Sequence, residues 1–414
     1  MMTYEEACEA LMGALPMFQR TGPAAYKADL DGTWEVMTFL ERPDLKMPPV
    51  IHVAGTNGKG SVCTMMAQAL QDSGHQVGLF TSPHLVDFRE RIRINGRCIP
   101  KEAVVAFVED FAQRGPAFFG ANLPSFFEMT FGMACVHFVA EAVDVVVLET
   151  GMGGRLDSTN IFPRPLITVV TNVGLDHQAF LGNDIRSIAA EKAGIIKDGV
   201  PVILGRMRPE ALSVMLTRAL QVGAEVHYAP AATEATYRAE NEATALKALE
   251  VLRNEHPQFK FGDPIESVRK AVWPGRWQWL VETPAGARVL VDCAHNADGL
   301  ARWLEGIEKL SPSKIHVVFG TVADKPVKDV VPVLASLENA EFYWCAADIP
   351  RAKSAEDLRA EMRSHGLDGA TFDSVAAAHD VAKNAAQAGE LVAVVGSIFV
   401  AAEVLKASGV PICD

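Results

Sequence analysis

A glycine-rich segment, HVAGTNGKGSV at residues 52–62, has the composition of a phosphate-binding loop. The common form of such a loop is G-x-x-x-x-G-K-[ST], with the hydroxyl residue directly after the lysine. Here Gly60 follows Lys59, and Ser61 comes one position later. Gly58 and Gly60 permit a tight turn that aims backbone N–H groups inward, where Lys59 could neutralise phosphate charge. We therefore predict a nucleotide site, and a glycine-rich turn that binds nothing is the alternative.

Polar residues also follow three other predicted strands. They are Ser82 in TSPHL, Glu149 in LETGMGGRLDSTN and His177 in TNVGLDH. The carboxyl ends of parallel strands meet at one edge of a sheet, so these side chains are expected to lie near the loop. A hydroxyl, a carboxylate and an imidazole could complete a Mg²⁺ shell shared with ATP, although histidine is an unusual magnesium ligand. Taken singly, each residue is more commonly a helix cap or a hydrogen-bond partner.

Three residues in the last third of the chain could also bind substrates. WPGRW contains Arg276, and VDCAHN contains Asp292 and His295 at the end of a predicted strand. Arginine can bind phosphate through two parallel hydrogen bonds, and a strand-end aspartate suits ribose hydroxyls. Asp-x-x-His-Asn is also favourable turn chemistry, so this pattern alone is weak.

Lys192 lies in AAEKAGIIK, directly after Glu191 on a predicted helix. From the pattern alone, a lysine beside a glutamate on a helix is expected to be a surface residue in a weak charge pair.

The elements that position these residues alternate between short apolar strands and helical patterns. VIHVAG, QVGLF, VDVVVLE and PLITVV are near-continuously apolar, as strands of a buried parallel sheet tend to be. A length of 414 residues exceeds one typical core and suggests two domains. We predict an α/β protein. We expect residues 1–271 to form a large P-loop-type domain that binds ATP and has a mostly parallel sheet flanked by helices. We expect residues 272–414 to form a smaller Rossmann-like α/β domain.

The composition excludes several classes of protein. A net charge of −13 argues against a broad nucleic-acid surface. The longest apolar run, LVAVVGSIFVAA, is too short to span a bilayer, so no membrane partner is expected. Seven scattered cysteines without a C-x-x-C pair are expected to be reduced thiols in a cytoplasmic protein. We also expect a monomer.

Six motifs occur together in a characteristic order: HVAGTNGKGS, TSPHLVDFRERIRING, ETGMGGRLDSTN, GLDHQAFLGNDIRSIAAEKAGIIK, WPGRW and DCAHN. With them the chain resembles the folylpolyglutamate synthases, including the bifunctional dihydrofolate synthase/folylpolyglutamate synthases, of the Mur ligase superfamily. The resemblance runs from about Ile51 to the C-terminus. The sequence departs from the family at Arg238, three residues before Asn241, where glutamine is usual. The segment between PVILG and the helix that contains Asn241 is also shorter than in the family.

The resemblance implies a role for each matching residue. Phosphates of ATP would be bound by Gly58, Lys59, Gly60 and Ser61, and the nucleotide also by Asn241, Arg276 and Asp292. Magnesium would be bound by Ser82, Glu149 and His177. Lys192 would be carbamylated. From their motif alone, His295 and Asp292 are candidates for the base that accepts a proton from the attacking amine, although the resemblance assigns Asp292 to the nucleotide. The pterin-bearing substrate would lie against Ala28, Asp29, Leu30, Ser125, Phe126, Phe127, Glu128, Leu156, Asp157 and Ser158.

The implied reaction is ATP-dependent amide formation through an acyl phosphate, with L-glutamate added to dihydropteroate, to a reduced folate, or to both. Two alternatives remain at this stage. One is a Mur-type ligase that acts on another carboxylate, such as a cell-wall precursor. The other is an inactive nucleotide-binding regulator, which would be expected to lack the lysines and the metal-binding side chains.

Overall fold

The computed structural model describes residues 2–15, 29–232, 234 and 236–413. The predicted substrate contact at Ala28 therefore lies outside the described residues. The chain divides into two compact units. The first comprises the described residues of Met1–Ala232, of Glu240–Val272 and of Cys413–Asp414, and the second those of Thr233–Ala239 and Trp273–Ile412.

Within the described residues, eight strands form the sheet of the first unit, in the order β4-β3-β2-β5-β1-β6-β7-β8. The strands β3 and β4 at one edge pair antiparallel, and the others pair parallel. Their bounds are β1 Val50–Ala54, β2 Val77–Phe80, β3 Ile92–Ile94, β4 Arg97–Cys98, β5 Val145–Glu149, β6 Ile167–Val170, β7 Val202–Leu204 and β8 Val226–Tyr228. The central strands β1, β5 and β6 are buried throughout because helices cover both faces of the sheet.

Helices of the first unit connect these strands and supply two apolar layers. They are α1 Tyr4–Ala14, α2 Asp31–Phe39, α3 Lys59–Asp72, α4 Lys101–Phe119, α5 Phe126–Ala140, α6 Gln178–Leu181, α7 Ile185–Ala193, α8 Pro209–Gln221, α9 Tyr237–Glu255 and α10 Ile265–Lys270. The first three residues of α9, 237–239, belong to the second unit. One core cluster contains α5 and β2 residues such as Phe131 and Phe80, and another contains α3 and α9 residues such as Met66 and Leu249. No helix among the described residues is long and apolar enough to cross a membrane.

The second unit contains a smaller sheet of the order β13-β12-β11-β14-β10-β9. Among its described strands, only β9 runs antiparallel to its neighbour. The strands are β9 Gln278–Leu280, β10 Arg288–Val291, β11 Ile315–Phe319, β12 Ala340–Cys345, β13 Gly369–Phe372 and β14 Leu391–Val395. The helices are α11 Ala297–Leu310, α12 Val331–Ala335, α13 Ala355–Ser364, α14 Val375–Ala385 and α15 Ile398–Ala407. Both sheets confirm the predicted α/β class.

Two of the seven cysteines correct the prediction of reduced thiols. Cys98 on β4 and Cys413 form a disulfide, with their Cα atoms 5.6 Å apart. The other five cysteines are free and buried. The prediction was wrong for this pair because the two residues are 315 positions apart, and no local spacing shows that folding brings them together.

Candidate functional site

The glycine-rich loop, residues 55–61, joins the end of β1 to the first turn of α3. Gly58 adopts a left-handed conformation with φ of 81° at the N-cap, which a residue without Cβ adopts without strain. The Nζ of Lys59 donates to the carbonyl oxygens of Gly55, at 3.1 Å, and Thr56, at 3.3 Å. The first N–H groups of an α-helix have no partner within the helix, so Gly60 and Ser61 open a helix end suited to phosphate.

The segment after β6 holds this loop in place. The Oγ1 of Thr171 donates to the carbonyl of Asn57 at 2.6 Å, and the backbone N–H of Asn57 donates to Oδ1 of Asn172 at 2.9 Å. From α9, the buried Asn241 comes so close that a Cβ at Gly58 would overlap its Oδ1. The structure thus brings together Gly58 and Asn241, although 183 positions separate them in the sequence.

Lys192 on α7 is buried against the same loop, with its side chain reaching Gly55. Its Nζ donates to the carbonyl oxygen of Gly55 at 2.9 Å, the same oxygen that accepts from Lys59. Burial, together with the charge of Lys59, lowers the pKa of Lys192 to about 7. The interpretation of Lys192 as a surface residue paired with Glu191 is wrong, because Glu191 pairs instead with Arg155 at 2.8 Å.

The predicted metal-binding side chains follow neighbouring strands. The backbone N–H of Ser82, after β2, donates to Oε2 of the buried Glu149, at the end of β5, over 3.0 Å. His177 follows β6 and precedes α6, with its backbone N–H held by Oδ1 of Asp176 at 2.9 Å. Three residues before His177, Gly174 exchanges hydrogen bonds with Thr56 of the glycine-rich loop. The structure therefore joins Ser82 to Glu149 directly and places His177 on the segment that contacts the loop.

This donor set fits a hard divalent cation. Glu149 supplies a carboxylate and Ser82 a hydroxyl, and oxygen donors are what such cations prefer. Next to Glu149, the buried Oγ1 of Thr150 has no hydrogen-bond partner among the described residues. No group of three or more His, Cys, Asp or Glu residues that could hold a metal occurs in the described part of the chain. A cation here would thus need further oxygen ligands, such as those of a nucleotide and water.

Three segments that contain or adjoin the residues predicted to contact the pterin-bearing substrate meet in the first unit. Thr33 on α2 donates from Oγ1 to Oγ of Ser158 at 3.0 Å, and both side chains are buried. A Cβ at Gly32 would overlap the carboxylate of Glu128. The ring of Phe127 lies directly against Gly151 in the loop after β5. Residues 29–33, 125–128 and 151–158 therefore form one continuous region.

Several of those predicted residues already make hydrogen bonds within their own segments. Ser125 and Glu128 form a capping box at the start of α5, in which each side chain accepts a backbone N–H of the other residue. Asp157 accepts from the backbone N–H groups of Met152 and Thr159. Phe126 is buried, with the guanidinium of Arg91 5.1 Å from its ring centre. In these positions the side chains stabilise the backbone of the region, and fewer of their polar atoms remain to bind a ligand.

In the second unit, Asp292 is almost fully buried after β10. One carboxylate oxygen accepts from the hydroxyl of Tyr237 and from the backbone N–H of Trp277 at 2.7 Å, and the other from the N–H of Ala294 at 2.8 Å. Burial raises the pKa of Asp292, and the nearby charge of Arg276 opposes that rise. The sequence does not indicate a role for Tyr237, because a lone tyrosine at the start of a helix forms no recognisable pattern.

His295 follows Asp292 in the same loop. Its Nδ1 lies 2.9 Å from the carbonyl oxygen of Cys293. Because a carbonyl only accepts hydrogen bonds, Nδ1 carries the proton, and a neutral ring has its lone pair on Nε2. The loop also contacts the end of β14, where the N–H of Gly396 donates to the carbonyl of Ala294 at 2.9 Å. His295 is therefore in the tautomer that a proton acceptor at Nε2 requires.

Comparisons with known proteins identify the family of the chain. A family model described as Mur ligase, glutamate ligase domain, matches residues 275–398. The glycine-rich loop of the first unit and this domain in the second define an ATP-dependent ligase of the Mur type. The dihydrofolate synthase/folylpolyglutamate synthase of Bacillus subtilis is 34% identical over 390 residues, which cover 86% of this chain and 88% of that protein. The chain belongs to the folylpolyglutamate synthase/dihydrofolate synthase family.

Solved structures extend the similarity to the fold. E. coli FolC in complex with DHPP and ADP aligns with a TM-score of 0.82 at 30% identity, covering 98% of this chain and 97% of that one. A bifunctional folylpolyglutamate synthase/dihydrofolate synthase with Mn, AMPPNP and L-glutamate bound aligns with a TM-score of 0.79 at 28% identity, covering 93% and 95% of the two chains.

Proposed function

We propose that this enzyme uses ATP to join L-glutamate to the carboxylate of dihydropteroate, of a reduced folate, or of both. The observation that carries the proposal is the meeting of Lys59 and Lys192 on one carbonyl oxygen, that of Gly55, at the end of a buried strand. Lys59 at the glycine-rich loop suits a reaction in which phosphate charge develops, and Lys192 beside it is held largely neutral by burial. The names of the relatives and their bound ligands support the same chemistry.

Each site residue has a role in this proposal. The ATP phosphates are bound by Gly58, Lys59, Gly60 and Ser61, and other parts of the nucleotide by Asn241, Arg276 and Asp292. The acceptor lies along the continuous region of residues 29–33, 125–128 and 151–158. That region is supported by the buried hydrogen bond between Thr33 and Ser158.

The first chemical step transfers a phosphoryl group. A carboxylate oxygen of the acceptor attacks the γ-phosphorus of ATP, the bond to the β–γ bridging oxygen breaks, and ADP leaves with that electron pair. The product is an acyl phosphate. Lys59 offsets the negative charge on the transferring group, and the N–H groups at the start of α3 hold the phosphate oxygens.

The second step forms the amide. The neutral amine of glutamate attacks the acyl carbon, and inorganic phosphate leaves from the tetrahedral intermediate. The amine must lose a proton during this step. We assign that proton to Nε2 of His295, because the hydrogen bond to Cys293 leaves this nitrogen as the acceptor.

The proposed divalent cation is Mg²⁺, held by Ser82, Glu149 and His177. Bound there, it would supply charge stabilisation to the phosphates. Lys192 is proposed to react as a neutral amine with carbon dioxide, which forms a carbamate and releases one proton. Only a neutral amine reacts, and burial beside Lys59 lowers the pKa of Lys192 to about 7, so a large neutral fraction exists at neutral pH. Incorporation of labelled bicarbonate, lost in Lys192→Met, tests this assignment.

The test of the proposed function is ATP-dependent phosphate release with Mg²⁺ and L-glutamate, comparing dihydropteroate with tetrahydrofolate and identifying the product by mass. Turnover with one or both acceptors supports the proposal and defines the acceptor. Lys59→Ala is expected to reduce turnover by at least ~100-fold, whereas Lys260→Ala, at an exposed position, should retain it. Tight ATP binding without turnover on either acceptor would instead favour another carboxylate substrate or an inactive regulator.

The proposal also places the enzyme in the cytoplasm, where ATP is available, and as a monomer. In that compartment the Cys98–Cys413 disulfide would be exposed to the reducing thiol pool.

A further inference from the structure

The start of α9, where Arg238 departs from the family, carries a residue that contacts the proposed nucleotide-binding loop of the second unit. Tyr237 is the first residue of α9 and belongs to the second unit. We propose that Tyr237 is a positioning residue that fixes Asp292 and, through it, the loop that carries Arg276. This inference rests on the proposed function, because Arg276 and Asp292 are assigned there to the nucleotide.

The hydroxyl of Tyr237 completes the hydrogen bonding of Asp292. It donates to the carboxylate oxygen that also accepts from the N–H of Trp277. Burial and the adjacent carboxylate raise the pKa of Tyr237, so its hydroxyl keeps its proton and acts as the donor. Without this donor, a nearly fully buried carboxylate would lose one of the three hydrogen bonds that it accepts from the described residues.

The ring of Tyr237 makes a second contact with the same loop. It meets the ring of Trp277 edge to face, with the centres 5.9 Å apart. Trp277 has φ of 47°, a left-handed conformation that is unfavourable for a bulky residue unless its surroundings hold it. Its indole packs so closely on Gly306 of α11 that a Cβ there would overlap the ring. The conformation of Trp277 is thus held from three sides, by Asp292, by Tyr237 and by α11.

Arg276 directly precedes Trp277, so the path of the backbone at Trp277 sets the start of the Arg276 side chain. The charge of Arg276 opposes the rise in the pKa of both Asp292 and Tyr237, so its guanidinium is near enough to interact electrostatically with both groups. Loss of the Tyr237 hydroxyl frees the carboxylate to rotate away from the Trp277 N–H and lets the loop relax. The expected consequence is weaker binding of the nucleotide, with little change in the chemical steps.

The experiment compares Tyr237→Phe with Tyr343→Phe. Tyr343 on β12 also loses a buried hydroxyl hydrogen bond when it becomes Phe, to Nδ1 of His316, at 2.9 Å. That bond joins β11 and β12, and in the order of the sheet β14 separates β11 from β10. Both variants are expected to be less stable. Only Tyr237→Phe is expected to raise the KM and the equilibrium Kd for ATP, by about tenfold, with kcat within about twofold of the parent.

A third variant, Arg276→Ala, separates failure of this proposal from failure of the proposed function. If Arg276→Ala weakens ATP binding and Tyr237→Phe does not, the positioning role of Tyr237 is wrong while the nucleotide role of the loop stands. If neither variant weakens ATP binding, the nucleotide role of the loop is wrong, and the inference fails with it. Equal weakening by Tyr237→Phe and Tyr343→Phe would show a general effect of lost stability and would also overturn it.

Discussion

Replacing Lys192 with methionine should make the protein more stable and inactive. Methionine keeps most of the apolar stem and removes the charge that burial penalises. The folded-state pKa of about 7 compares with an ordinary value of 10.5. Between these two pH values the unfolded chain binds a proton that the folded chain does not, so the free energy of unfolding falls as pH decreases. A shift of this size corresponds to at most about 5 kcal/mol, reached at pH 7 and below.

The pH dependence gives the sharper measurement. The free energy of unfolding of the parent should fall, relative to that of Lys192→Met, by about 1.4 kcal/mol for each pH unit between pH 10.5 and 7. Urea unfolding at pH 9 and at pH 7.5 should therefore show the stability advantage of the variant growing by about 2 kcal/mol as the pH is lowered. The buffers must be free of carbon dioxide, because a carbamate would remove the lysine charge by another route.

Lys260→Met is the control, since Lys260 is exposed and its replacement removes the same charge from the chain. Its difference from the parent should not vary between pH 9 and 7.5. A pH-independent difference for Lys192→Met as well would refute the reasoning, because it would mean that Lys192 is equally protonated in the folded and unfolded states. The lost hydrogen bond to Gly55 affects the size of the difference but not its slope with pH.

Three further predictions follow from the geometry of the first unit. Gly58→Ala should lower the free energy of unfolding by about 1–2 kcal/mol, because alanine disfavours the left-handed conformation, and it should also weaken ATP binding. Gly74→Ala, at a residue with φ of 91° and open space around it, should lower the free energy of unfolding without changing ATP binding. Glu149→Gln should raise the Mg²⁺ concentration for half-maximal activity on the order of 10- to 100-fold, and an unchanged requirement would contradict the metal assignment. Thr33→Val removes the buried hydrogen bond to Ser158 and should lower the free energy of unfolding by about 1 kcal/mol. It should raise the KM for the pterin acceptor and leave the KM for ATP unchanged.

The glycine-rich loop could be predicted from the sequence because its features are local. A buried strand, three glycines, a lysine and a helix occur within a dozen residues, and the structure has them in that arrangement between β1 and α3. Ser82 and Glu149 could also be placed, because both follow strands and parallel strands end at one edge. The α/β class followed from the same alternation of strands and helices.

Other features depend on contacts that no local pattern reveals. The environment of Lys192 is set by the packing of α7 on the loop, so a helical lysine after Glu191 looks like a surface residue until the fold is known. Tyr237 and Asp292 are 55 positions apart and meet only through the second unit. The family resemblance supplied the role of Lys192 but not that of Tyr237, which lies where the chain departs from the family.

The disulfide between Cys98 and Cys413 turns most of the chain into a covalent ring. A single proteolytic cut anywhere between these two residues opens the ring without releasing a fragment, so the nicked and intact molecules differ only by the mass of one water until a reductant is added. On a denaturing gel without reductant, the ring should migrate ahead of the linear chain, because a closed loop is more compact than an open one of the same length. Paired reduced and unreduced lanes therefore report both the oxidation state of this bond and any hidden cleavage in the same sample.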